Sequence, residues 1–189
     1  MKNLTKKLFH ISIDRNPLWF GVFSTLLFVF FIVKILPEQS NLSQAYGLKE
    51  SIDTSWFYNG SELYRIVESY GSEGRAFYIQ QRWTFDLIWP IVYFSFIFSV
   101  SALLYQSIGL SYHNRWILSF SYFAILFDYL ENIMVTIVMA RFPSPTFLIV
   151  DFAGTMTSLK WIFLVISFFV LACLTIIKLI QIGLRYTRK

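Results

Sequence analysis

Residues 116–140, WILSFSYFAILFDYLENIMVTIVMA, read as one apolar helix of bilayer-crossing length that carries Asp128, Glu131 and Asn132 near its middle. On a helix of 3.6 residues per turn, offsets of three and four place Glu131 and Asn132 over the same side as Asp128. Ser121 and Thr136 extend that side in both directions. An ionised carboxylate at mid-bilayer costs at least ~2.5 kcal/mol on insertion scales, so this polar stripe has to face other helices, a counter-charge or water. The fold class follows: all-α, a polytopic membrane protein in which a four-transmembrane-helix bundle encloses the stripe.

The rest of the composition agrees. With 56% hydrophobic and 14% charged residues, and a mean hydropathy of +0.57, the chain has too few polar residues to coat a soluble globule. Its 21 phenylalanines suit lipid-facing surfaces and interfacial belts. The net charge of +5 resides largely in basic residues that flank apolar runs, where they act as topology signals and contacts for anionic lipid, which argues against nucleic acid as a partner. Cys173 is the single cysteine, so an intrachain disulfide and a thiolate metal cluster are excluded.

Working outward, the chain divides into spans at about 17–36, 84–106, 116–140 and 153–180, all within a single membrane domain, 1–189. The first follows a basic tail with Lys2, Lys6 and Lys7, ends near Lys34 and Pro37, and lacks a nearby small-x-small cleavage site, so it reads as an uncleaved span. Residues 38–81 form the longest polar region. Within it Ser61, Leu63, Tyr64, Ile66, Val67 and Tyr70, followed by Gly71, have the spacing of a short amphipathic helix with Ser61 as N-cap candidate, expected to cap the bundle. No breaker occurs between Arg75 and Pro90, so a helix begun outside the bilayer is expected to run into the second span. Pro90 cannot donate to the Asp86 carbonyl, which frees polar backbone beside a carboxylate. Gly154 and Ser158 make a small-xxx-small pair suited to close helix approach. Trp19, Trp83, Trp89, Trp116 and Trp161 read as belt anchors. Basic residues at both ends and an even number of spans place both termini in the cytoplasm and residues 38–81 outside.

These helices bring ionisable residues together in the outer half of the bundle. Glu131 and Asp128 are the candidates for acid, base or ligand contact. Asp86, Tyr93, Asn132, Thr157 and Lys160 complete a buried pocket, with Lys160 directed at Asp128 or Glu131 rather than at lipid. Arg75 and Arg82, on the helix leading into span two, are placed to receive an anionic head group. A structural network holding the helices in register is the competing reading. No span contains a histidine, no DxD or ExxH pattern occurs, and His10 and His113 lie far apart, so neither a metal nor another cofactor is expected.

The combination GRAFY, D…P..Y in span two, D..EN in span three and T..K in span four, between Gly74 and Lys160, resembles a group of small bacterial multi-pass membrane proteins without an assigned function. Four spans with intramembrane carboxylates also look superficially like the emopamil-binding and EXPERA membrane proteins, which include sterol isomerases and lipid-binding receptors; their residue patterns do not align with this chain, so no catalytic residue carries over. The resemblance implies a bacterial inner membrane. The resulting expectation is a pocket for a membrane lipid or amphiphilic small molecule, with or without proton-transfer chemistry. The alternatives are an accessory or scaffold subunit of a membrane complex, with a homo-oligomer or a partner membrane protein, and third a small proton-coupled transporter.

Overall fold

A computed structural model describes residues 12–48, 52 and 55–187; the basic residues Lys2, Lys6, Lys7, Arg188 and Lys189, and His10, lie outside them. The described residues form helices without strands, four of them long and apolar enough to cross a bilayer: Leu18–Ala45, Gly71–Ile108, Tyr112–Arg141 and Phe147–Thr187. The chain is a multi-pass integral membrane protein built as a four-helix bundle.

The first span is longer than its apolar run. Helix α1 (Leu18–Phe30) passes through a π-turn, Phe31–Ile35, into α2 (Leu36–Ala45), so Pro37 opens a new helical segment where a stop was expected. Proline is tolerated there because the first turn of a helix has unpaired N–H groups in any case, and a wide preceding turn makes room for its ring. α1 leans on the second span through Ser24, whose hydroxyl lies 2.7 Å from that of Ser99, and leaves Leu18, Trp19, Val22 and Leu26 to lipid.

The amphipathic helix forms as α3 (Gly60–Ser69), but its cap is Asn59, whose side chain accepts from the Glu62 N–H at 2.9 Å; Ser61 donates to that same Asn59 oxygen. Asn59 wins because an N-cap side chain reaches the third residue beyond it. Leu63, Ile66 and Val67 are buried against Val135, Val138, Val150 and Ala153, so the helix does close one end of the bundle. Gly71, at φ 62°, turns the chain into α4 (Gly71–Arg82). The expected unbroken entrance to span two is interrupted at Trp83–Thr84, where the Thr84 hydroxyl bonds back to the Gln80 carbonyl at 2.8 Å, before α5 (Phe85–Ile108) begins.

A short turn with Gly109 in the left-handed region leads to a 3-10 segment, Tyr112–Ser119, and α6 (Phe120–Arg141). The regular helix of span three thus starts four residues later than position 116. α7 (Phe147–Thr187) has 41 residues, roughly 60 Å at 1.5 Å per residue and about twice a hydrocarbon core, so it projects beyond the apolar layer. α6 and α7 make the most extensive helix pair. Gln106 and Ile13, Lys178 and Ser107, and Asp14 and Arg115 are joined at one end of the bundle, opposite residues 55–59.

The small pair on α7 serves a purpose other than helix approach. A Cβ on Gly154 would overlap the Tyr58 carbonyl oxygen, and Ser158 donates to the Trp56 carbonyl at 2.9 Å. It is the incoming loop, rather than another helix, that lies against the glycine.

Candidate functional site

Two ion-pair groups gather at the polar stripe of α6. Lys160 of α7 places its ammonium 2.5 Å from Glu131 Oε2 and 3.9 Å from Asp128 Oδ1. Thr157, one turn earlier on the same face of α7, donates to Glu131 Oε1 at 2.7 Å, and its oxygen is 3.1 Å from the Tyr58 hydroxyl. Glu131 is 1% exposed, so both its oxygens are turned into the α6–α7 seam. Asp128, a turn away, accepts from the Tyr93 hydroxyl of α5 at 2.9 Å. Neither carboxylate meets hydrocarbon alone, as burial of charge requires.

The second group surrounds Arg82, at the break between α4 and α5. Its guanidinium is 3.1 Å from Asp86 Oδ2, donates to Asn132 Oδ1 at 2.9 Å and to the Tyr78 hydroxyl at 2.5 Å, and stacks 4.2 Å over the Tyr78 ring. Pro90 has its expected consequence. The Asp86 carbonyl, deprived of its helical donor, is met by Asn132 Nδ2 at 3.5 Å, and Tyr129 donates to the neighbouring Leu87 carbonyl at 2.8 Å. Span three therefore supplies a side-chain donor where Pro90 leaves the Asp86 carbonyl without a backbone one.

Between these groups lies a cavity of about 470 Å³. Asp86, Trp89 and Tyr93 of α5 form one wall, Asp128, Lys160 and Trp161 another. The remaining wall is α2, through Leu36, Gln39, Ser40 and Ser43, held to α4 by Ser43 Oγ–Gln81 Oε1 at 3.3 Å and Gln81 Nε2–Gln39 Oε1 at 3.2 Å. α3 contributes no residue to the lining, so the expected cap of the pocket is replaced by the continuation of the first span beyond its apolar run.

Three further placements differ from the sequence reading. Glu131, Asn132 and Thr157 stand behind the lining and hold Lys160 and Arg82, while Asp128 and Asp86 are the carboxylates that reach the cavity. Arg75 is remote from it: it donates to the Val67 carbonyl near the end of α3 at 3.3 Å and stacks 4.7 Å from the Phe142 ring centre. Trp89 and Trp161, read from the sequence as belt anchors, line the cavity, with Trp89 stacked on Phe28 and Phe31 of the first span. The residues the sequence reading missed, Gln39, Ser40 and Ser43, had one signal: uncharged polar side chains at helical spacing directly after an apolar span.

Among the described residues no three His, Cys, Asp or Glu side chains converge as a metal-binding group. No family model, curated protein or solved structure matches the chain, so the functional reading rests on this geometry alone.

Proposed function

We propose that the protein binds a membrane lipid or another amphiphilic small molecule, whose head group enters the cavity between α2, α5 and α7 while its chain stays among the apolar flanks of the bundle. The observation that carries this reading is the cavity itself: about 470 Å³ of space lined at once by Asp86, Asp128 and Lys160 and by Trp89, Trp161 and Leu164. A structural ion-pair network needs close packing rather than space, whereas amphiphile sites are concave, largely apolar and furnished with a few converging polar groups. Asp128 and Tyr93 are the lining pair able to pass a proton to or from a ligand, their oxygens being 2.9 Å apart. With the basic ends of the chain in the cytoplasm of a bacterial cell, the cavity opens towards the outer half of the inner membrane.

Native mass spectrometry after gentle extraction tests the proposal. The wild-type protein should retain an amphiphile at one per chain, and Ser43→Trp, which fills the cavity from α2, should lose it while keeping its melting temperature. An identical set of retained lipids in both proteins would refute it.

A further inference from the structure

From Asp128 toward the Gly109 turn, the seam between α5, α6 and α7 changes character twice. At the first step Ile97 and Ala124 are buried together with Tyr93, and Leu164 packs against them, so an apolar layer follows the ion pairs. At the next step each helix contributes one serine: Ser101 from α5, Ser121 from α6 and Ser167 from α7. The spacing explains the tiers. Tyr93, Ile97 and Ser101 fall at intervals of four on α5, while Asp128 and Ser121, like Lys160 and Ser167, lie seven apart and so share a face. The three serines are 2%, 3% and 3% exposed. They border a small cavity that apolar residues such as Ile97, Phe98 and Val170 complete, and it shares no lining residue with the larger cavity of Asp86 and Asp128.

The three hydroxyls differ in what they have left to give. Ser121 donates to the Leu118 carbonyl at 3.0 Å and Ser167 to the Phe163 carbonyl at 2.7 Å, so the hydrogen of each is committed and its oxygen can still accept. The Ser101 hydroxyl has no hydrogen-bond partner among the described residues, so its hydrogen is on offer. One donor and two acceptors therefore border one space. A water molecule is their complement: it accepts from Ser101 and donates to Ser121 and Ser167, and about three hydrogen bonds are usual for a buried water. The room for the centre of a water molecule amounts to about 10 Å³, the size at which a polar cavity holds one of them. Within an apolar layer no bulk water reaches Ser101, and a buried hydroxyl left unmet is unfavourable.

We infer that a single water molecule is bound among Ser101, Ser121 and Ser167 and joins α5, α6 and α7 by hydrogen bonds. It gives the bundle a second polar tie beyond the ion pairs of Lys160, made of neutral groups and separated from them by the layer of Ile97 and Ala124.

The test is a structure of the full-length protein in a lipid phase, at a resolution that shows ordered water. One peak within hydrogen-bond distance of all three serine oxygens is expected. Ser101→Val, which cannot donate and whose methyls take the space, should lack it. A wild-type structure with no such peak, or with Ser101 turned back onto the Ile97 carbonyl, overturns the site. Thermal denaturation in detergent reads the same claim independently. Ser101→Ala should lower the melting temperature by about 2–4 °C, because a hydrogen bond is lost with the hydroxyl. Removing a hydroxyl that bonds nothing would leave the temperature unchanged or raise it. Ser101→Ala and Ser167→Ala, on different helices, should together cost clearly less than the sum of the two, since either one releases the shared water. An unchanged or higher melting temperature for Ser101→Ala, or strictly additive losses, overturns the site as well. Should these variants fail to fold, the wild-type structure decides by itself.

Discussion

Replacing Lys160 with methionine keeps most of the apolar stem of the side chain and removes a cation that is paired with both Glu131 and Asp128. Breaking a buried pair leaves an uncompensated charge worth about 3–5 kcal/mol in soluble proteins. For a chain of this size that corresponds to a fall in melting temperature of roughly 6–20 °C. The geometry also ranks the rescues. At equal dielectric, attraction at 2.5 Å exceeds that at 3.9 Å by ~1.6-fold, so neutralising Glu131 in the Lys160→Met background should recover more stability than neutralising Asp128. Glu131→Gln in particular keeps an amide oxygen as acceptor for the Thr157 hydroxyl, so its recovery should be partial but clear. The assay is a double-mutant cycle by thermal denaturation in detergent, with single variants Lys160→Met, Glu131→Gln and Asp128→Asn and both doubles. Strictly additive losses in both cycles, or a larger rescue by Asp128→Asn, would refute the assignment of Glu131 as the principal counter-ion.

Three further outcomes are expected. Gly154→Ala should destabilise the protein by about 1–3 kcal/mol and render residues 55–59 sensitive to protease, because the added methyl displaces the Tyr58 backbone; Gly21→Ala, whose neighbour is the movable end of Leu103, should cost far less in the same melting and proteolysis assays. Asn132→Ala removes an acceptor from Arg82 and a donor from the Asp86 carbonyl, and should cost about 1–3 kcal/mol by thermal denaturation, with Asn132→Asp failing to restore the donor. In a Cys173→Ser background, Phe57→Cys should react with an impermeant thiol reagent applied from outside intact cells and His113→Cys only after permeabilisation; the reverse pattern would invert the proposed orientation.

The sequence was most informative where a single physical demand acted within one helix. Apolar runs of spanning length, the shared face of Asp128, Glu131 and Asn132, the direction of Lys160 and the carbonyl freed by Pro90 all follow from helical periodicity and the cost of buried charge. Legibility failed where the answer depended on what came from elsewhere in the chain. Gly154 could be recognised as a place of close approach, but whether a helix or the Tyr58 backbone would occupy it depended on the path of residues 55–59. Trp89 and Trp161 carry the same local signature as interfacial tryptophans, and only the position of α2 makes them walls. Which of two neighbouring carboxylates would be sealed and which would reach the cavity was likewise a matter of packing, settled by Thr157 and Tyr58 closing over Glu131.

The π-turn at Phe31–Ile35 acts as a register clutch. Phe31 is the last residue of the first span to stack on the rings of α5, and the next to face the same way is Leu36, a step of five, after which Gln39, Ser40 and Ser43 follow at ordinary helical intervals. A regular α-helix turns about 100° per residue, so the single surplus residue sets the azimuth of the whole of α2. Deleting one residue between 31 and 35 would leave an apolar span as hydrophobic as before and a helix of nearly the same length. It would nevertheless swing Gln39 and Ser43 off the cavity by about a quarter-turn and bring others of α2 in their place. The polarity of the cavity's third wall is therefore held by the phase of a helix as well as by its composition.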